Sequence, residues 1–353
     1  MRVFFLSSMP RKPAGGVRVI YRHVNILNEL GFDSYVYHPL DSYHYKWADG
    51  VTPIYTGSTI SFNDHIVIPD VYLGYMSSVV RAHLPTYSIY IQNPYILRSV
   101  FRFSNFERIA EAVKGAFRIL CISDDTVKIL AKMFPGCESK LIRVSWSHDA
   151  DSFQQAKNKE PLITFMPRKN RDHVQLVIDC IKSHLPLHWK IIPIQGVTNN
   201  ELRDLLSRSS IFLSFGSFEG LPAPPVEAAM SGNYVIGYHG NGGQEYWCAP
   251  NFTTINVCDI DAFSEAIISR VKSIENNKQC FVELESVVRD LKSKFSTKNE
   301  VKQLGEFAKA LKTELDFDHL KKNTNYVLPF KTNYFKFHFD RVLTKVDQWL
   351  SIY

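Results

Sequence analysis

Short β-branched or aromatic runs alternate with helical patterns along this chain, and the alternation runs its course twice. In the first half Arg2–Leu6, Ser34–Tyr37, His65–Ile68, Thr86–Gln92, Arg118–Ser123 and Leu141–Val144 read as strands, and Gly16–Leu30 as an amphipathic helix. A polar stretch, DADSFQQAKNKEP at 149–161, interrupts the pattern. It then restarts with strands at Leu162–Met166, Trp189–Ile194, Ile211–Phe215, Tyr234–Tyr238 and Thr253–Val257, interleaved with helices at Asp172–Ser183 and Asn199–Ser207 and one ending at Met230. Strands separated by helices pair in parallel through crossovers, which covers both faces of each sheet. With 353 residues the chain also exceeds what one core comfortably organises. The expectation is α/β: two doubly wound domains, residues 1–155 and 156–320, facing across a cleft, and a helical tail over 321–353.

Composition removes several classes. Hydrophobic residues are 45% and charged residues 22%, which excludes large-scale disorder. A net charge of +6 suits contact with phosphates but is far below that of a dedicated nucleic-acid binder, so no nucleic acid is expected. The six cysteines are dispersed, without C-x-x-C or metal-ligand spacing, and read as reduced thiols of a cytoplasmic protein. No apolar run approaches the length of a membrane span, and the N-terminal apolar run is too short for a secretion signal.

In open parallel sheets ligands bind beyond the carboxyl ends of the strands, so the residues following each strand matter most. After Ile211–Phe215 the chain reads GSFEGLPAPPVEAAMSG. Glu219 falls in the loop, Glu227 in the first turn of the next helix, and Pro224 and Pro225 suit a helix start. A carboxylate accepts hydrogen bonds from vicinal hydroxyls, and helix-start amides favour phosphate. Taken as a lone pair, the two glutamates also fit an ordinary helix with a carboxylate complementing its dipole.

The whole segment, E-x7-E within S-x-E-G-x-x-x-x-P-x-E-A-A-M-x-G, resembles the nucleotide-sugar signature of the retaining GT-B glycosyltransferases, in particular glycosyltransferase family 4. Other landmarks fall in the family's order: Gly15-Gly16-Val17 after the first strand, Arg168-Lys169 after the first strand of the second domain, Gly196-Val197-Thr198 before ELRDLL, and Gly240-Asn241-Gly242-Gly243-Gln244-Glu245 after the strand that follows the signature. The resemblance implies a GT-B fold of two Rossmann-like domains, and transfer of a sugar from a nucleotide-diphosphate sugar to a glycan or lipid-linked glycan acceptor in cell-surface polysaccharide biosynthesis. It implies that Glu219 contacts the transferred sugar, that Arg168 with Lys169 or Arg171 neutralises the departing diphosphate, and that Glu227 holds the ribose. Gly16, Gly196, Val197, Gly220, Leu221 and Pro222 would complete the donor site. The nucleotide sugar is then a co-substrate, with no cofactor and no metal. A 2-epimerase acting on nucleotide sugars, or a non-catalytic nucleotide- or sugar-binding relative, are the alternatives on the same fold.

The chain also departs from the family form. Pro222 stands where a second glycine is common, which removes a backbone donor. Gln92 and Asn93 stand where a histidine is frequent, and no histidine is assigned a role. Three D-x-D triplets, Asp149–Asp151, Asp259–Asp261 and Asp316–Asp318, fall in the linker, at a helix cap and near a helix end, away from a strand-end metal position. The tail from Phe335 to Tyr353 has one apolar helical face flanked by Lys336, Arg341 and Lys345. Docking onto the first domain is expected of it, with a peripheral membrane contact as the alternative.

Overall fold

The structure, a computed structural model, describes residues 1–38, 43–48, 50–57, 59–61, 63–74, 86–97, 105–148, 152–277, 280–315 and 325–327. The chain forms two compact units. The first comprises Met1–Trp146 and the helical segment from Glu300; the second is Ser147–Asn299.

The first unit contains β1 (Arg2–Leu6), α1 (Gly15–Glu29), β2 (Asp33–Tyr37), β3 (Ile54–Tyr55), β4 (Thr59–Ser61), β5 (His65–Pro69), β6 (Tyr87–Ile91), α2 (Phe106–Gly115), β7 (Ile119–Cys121), α3 (Asp124–Met133) and β8 (Leu141–Arg143). Seven strands pair in the order β3-β2-β1-β5-β6-β7-β8, all in parallel. Every residue of β5 and β6 is buried, as expected of strands covered on both faces. Helix α1 buries Val17, Ile20, Tyr21, Val24 and Leu27, a three-and-four spacing that places one stripe on the sheet. Ser123 caps α3 by accepting from Thr126 N at 3.1 Å. Asp124 and Asp125 follow it in a negatively charged first turn.

The second unit contains β9 (Glu160–Phe165), α4 (Arg171–Ile181), β10 (Lys190–Pro193), α5 (Asn199–Arg208), β11 (Ser209–Ser214), α6 (Ala223–Met230), β12 (Tyr234–Gly237), β13 (Phe252–Thr254), α7 (Ile260–Asn276) and α8 (Glu285–Lys294). Its parallel sheet has the order β10-β9-β11-β12-β13. Thr198 and Glu201 form a reciprocal capping box on α5. Asp259 caps α7 by accepting from Ala262 N at 3.0 Å, as expected for the second D-x-D triplet; the other two lie outside the described residues.

The division between the units differs from the expected 155/156 and 320/321. The 152–161 segment is polar, yet it is tied to the second unit: Ala156 N donates to Ser207 O at 3.2 Å and Phe153 is buried, and before it His148 N donates to Phe295 O at 2.9 Å. Its hydrophilicity reflects a surface path along the second unit rather than a border. The helix α9 (Thr297–Thr313) joins the first unit from Glu300. Glu300 is fully buried, paired with Arg22 and 3.2 Å from His23 Nε2, and Gln303 Oε1 accepts from Ser145 N at 2.8 Å. Leu304, Phe307 and Leu311 supply the apolar face. A short strand β14 (Asn325–Val327) pairs antiparallel with β4, two elements absent from the sequence reading. The amphipathic 335–353 segment lies outside the described residues.

The first unit carries a distinct acid liability. His38 and His65 are buried, and desolvation pushes them down to about 4 and about 3. Both stay neutral as the unfolded chain protonates near pH 6.5, so stability falls with pH below that point. Buried Asp70 opposes this: desolvation raises it to about 6, so it takes up a proton while its unfolded counterpart remains ionised. At pH 4.5 the two histidines cost about 5 kcal/mol and Asp70 returns about 2, a net loss of about 3 kcal/mol relative to pH 6.5. Urea midpoints at the two pH values check this. A midpoint that holds or rises on acidification would show that water reaches the histidines.

Candidate functional site

In the second unit the strand order reverses at β9: β10 lies on one side, and β11, β12 and β13 on the other. The crevice of such a sheet opens where the loops after the two central strands diverge, here after β9 and β11. These loops carry Arg168-Lys169-Asn170 and Ser217–Leu221. Lys169 Nζ lies 2.8 Å from Glu219 Oε1, both side chains about one quarter exposed. Asn170, in a left-handed conformation with φ 44°, donates from Nδ2 to Phe215 O and to Ser217 Oγ, tying one loop to the other. Arg168 is exposed and pairs with no acid among the described residues; Arg171 opens α4, is likewise exposed, and is absent from the Lys169–Glu219 contact.

The loop after β12 holds Glu219 from the other side. Glu219 N donates to Gly240 O at 2.9 Å and Gly242 N to Glu219 O at 3.1 Å, so the two loops pair backbone to backbone. A Cβ at Gly242 would lie 1.8 Å from Gly220 O, which explains a glycine at this contact. Gly220, Leu221 and Pro222 are buried and lead into α6.

Helix α6 begins at Ala223 with Pro222 as its N-cap, so Glu227 occupies the second turn rather than the expected first. Pro222, Pro224 and Pro225 all lack an N–H, so this helix start keeps its dipole but offers few amides to an anion. Glu227 is nearly buried, and its Oε1 lies 3.1 Å from His148 Nε2. It is thus partnered away from the Lys169–Glu219 pair. Gly196 (φ 67°) and Val197 are exposed in the loop between β10 and α5, just before the capping box.

Gly16 belongs to the first unit, whose sheet reverses at β1, between β2 and β5. Gln92 Nε2 donates to Gly16 O at 2.9 Å, and a Cβ on Gly16 would meet Gln92 Oε1 at 2.5 Å. Asp70, at the end of β5, accepts from Val71 N at 2.8 Å, Gln92 N at 2.8 Å and Asn93 N at 2.7 Å. One buried carboxylate therefore orders the loop in which Gln92 and Asn93 stand.

Asp70 and Asn170 escaped the sequence reading, which assigns His148 no role. Asp70 could have been found as an acid at the carboxyl end of a strand that is apolar after His65. His148 and Asn170 carry no such signal, because their partners are distant in sequence or set by a backbone conformation. Among the described residues no three acidic, His or Cys side chains cluster in a way that could hold a metal ion, and no helix is long and apolar enough to cross a membrane.

Two parallel-sheet α/β units with these topologies make the fold that of the GT-B glycosyltransferases. Solved structures of this type match over most of the chain. Sucrose-phosphate synthase from Thermosynechococcus elongatus is 10% identical with a TM-score of 0.65, covering 88% of this chain and 98% of its own. HepE from Anabaena, in complex with UDP-glucose, is 11% identical with a TM-score of 0.64, covering 88% and 100%. The catalytic domain of starch synthase IV from Arabidopsis thaliana, bound to ADP and acarbose, is 12% identical with a TM-score of 0.62, covering 88% and 99%. No protein-family model and no curated protein matches the sequence.

Proposed function

We propose that this protein is a retaining glycosyltransferase that moves a sugar from a nucleotide-diphosphate sugar to a carbohydrate or lipid-linked acceptor. The observation that carries the reading is the Lys169–Glu219 contact of 2.8 Å at the reversal of the second sheet, with Arg168 in the same loop as Lys169 and pairing with no described acid. Cleaving the sugar–phosphate bond places negative charge on the departing diphosphate, and fixed cations there lower the barrier. Arg168 and Lys169 supply those cations in this reading. Glu219 accepts from hydroxyls of the transferred sugar, and Glu227 from the ribose. The acceptor hydroxyl attacks from the face the leaving group vacates and gives its proton to the departing phosphate oxygen, which retains the anomeric configuration.

Gly220, Leu221 and Pro222 shape the sugar side of the donor site, and Gly196 and Val197 face the nucleoside. Gly16, with the Gln92–Asn93 loop beside it, remains a donor-contact residue in this proposal. Charge neutralisation by protein cations makes a metal ion or other cofactor unnecessary to this scheme. Lys169 is favoured over Arg171 as the partner of Arg168, because Lys169 is the cation that reaches Glu219. HepE with UDP-glucose and starch synthase IV with ADP support a nucleotide sugar as donor. Synthesis of a surface polysaccharide on the cytoplasmic side, with peripheral membrane contact, is the setting proposed.

Thermal shifts across nucleoside diphosphates and their sugars test the donor. A ligand at 100 times its Kd is expected to stabilise the protein by about 2.7 kcal/mol. Transfer to glycan acceptors, followed by NMR of the new anomeric centre, tests the reaction. An epimerised or eliminated donor without any acceptor would overturn the transferase assignment, and no shift with any nucleotide would overturn the donor itself.

A further inference from the structure

We propose that His148 is a positioning residue for Glu227, setting how that carboxylate meets the ribose hydroxyls of a nucleotide; this rests on the donor reading above. Glu227 Oε1 lies 3.1 Å from His148 Nε2, and the two side chains are 11% and 10% exposed. Among the described residues no other charged group lies within ion-pair distance of Glu227. A glutamate with three rotatable side-chain bonds and no partner samples several rotamers, and each must be given up on binding. An imidazole fixed against one oxygen removes that freedom beforehand and leaves the second oxygen to accept from a hydroxyl.

His148 is itself held at its ring and at its backbone. Its ring meets Phe153 edge-on at 5.1 Å, and its backbone N–H donates to Phe295 O at 2.9 Å. Phe295 packs on Tyr246 at 5.7 Å, and the Tyr246 hydroxyl donates to Pro222 O at 2.8 Å. Pro222 is the N-cap of the helix that bears Glu227. The contacts therefore close a ring through Glu227, His148, Phe295, Tyr246 and Pro222. Such a ring holds a carboxylate at a fixed height above its helix.

The test uses the full chain and isothermal titration with UDP, ADP and GDP, then with the 2′,3′-dideoxy form of whichever binds best. His148→Phe keeps a ring against Phe153 and removes the nitrogen facing Glu227; His148→Gln returns an N–H near the same place. His148→Phe is expected to weaken the ribonucleotide about tenfold, about 1.4 kcal/mol, and to leave the dideoxynucleotide unchanged. His148→Gln should recover most of the loss, and His148→Phe combined with Glu227→Gln should be no weaker than Glu227→Gln alone. Donor KM should rise far more than kcat falls. Unchanged ribonucleotide affinity in His148→Phe, or equal weakening of both nucleotide forms, would overturn the role of His148 alone. A wild-type protein that binds none of the three diphosphates would overturn the donor reading beneath it.

Discussion

Gly242→Ala is expected to destabilise the second unit by on the order of 3 kcal/mol or more, lowering its thermal midpoint by roughly 6–12 °C. The cause is steric. A methyl group at this position would sit 1.8 Å from Gly220 O and 2.8 Å from Glu219 O. Both obstacles are backbone, so no side chain can rotate away. The loops after β11 and β12 must separate, which breaks the Gly242 N to Glu219 O and Glu219 N to Gly240 O hydrogen bonds. Glu219 then loses its fixed place opposite Lys169, so binding at this site should fail even in the fraction that stays folded. Two other glycines serve as internal controls. A Cβ at Gly243 would meet Tyr246 Oη at 3.0 Å and Pro222 Cγ at 3.2 Å, tight contacts with side-chain atoms. At Gly15, the first residue of α1, it would meet nothing within 4 Å, and alanine there should be neutral or slightly stabilising. Thermal melts of the three variants therefore rank Gly242→Ala far below Gly243→Ala, with Gly15→Ala at or above wild type. Equal midpoints for Gly242→Ala and Gly15→Ala would mean that the two loops are not in backbone contact.

The order of strands and helices was legible because hydrophobic periodicity is a local property. Strands such as Tyr87–Ile91 and Ser209–Ser214 are buried from end to end and appear in the sequence as uninterrupted apolar, aromatic or small-residue runs. The unit borders were not legible in the same way. The 152–161 segment is polar because it runs over a surface, and that surface belongs to the second unit. Residues from Glu300 onward look like a charged helix, yet buried Glu300 is matched by Arg22 and His23, nearly 280 positions away in the chain. The strands β4 and β14 are too short to show a period at all. At the candidate site the residue types after β9 and β11 could be read from the sequence, since the position after a strand is itself a prediction. That Lys169 rather than Arg171 faces Glu219 could not be read, because it depends on Asn170 adopting a left-handed backbone. The turn of α6 on which Glu227 sits followed from where three prolines allow the helix to begin, and His148 from a segment with no pattern of its own.

The Lys169–Glu219 pair makes the proposed reaction testable by the difference between its two halves. In the transferase reading Lys169→Met is expected to reduce kcat/KM by about 10²- to 10³-fold, the usual cost of removing a fixed group from a developing charge. It removes a cation and also leaves Glu219 unneutralised beside the diphosphate, so donor KM should rise while kcat falls. Glu219→Gln keeps the size of the side chain and releases Lys169 from its ion pair. Nucleoside diphosphate affinity should then hold or tighten, while kcat falls by a similar 10²- to 10³-fold because a contact with the sugar is weakened. The two variants therefore move diphosphate affinity in opposite directions and transfer in the same direction. Raising the salt concentration should weaken diphosphate binding in both the wild type and Glu219→Gln, since each retains Arg168 and Lys169, and should do so less in Lys169→Met. If both variants fold, bind diphosphate as the wild type does and transfer sugar at its rate, the contact of 2.8 Å is a surface ion pair of small consequence and the donor diphosphate lies elsewhere. If Glu219→Gln instead loses diphosphate affinity as Lys169→Met does, the pair acts as a structural clamp between the β9 and β11 loops, and the cation facing the leaving group must be sought in Arg168 alone.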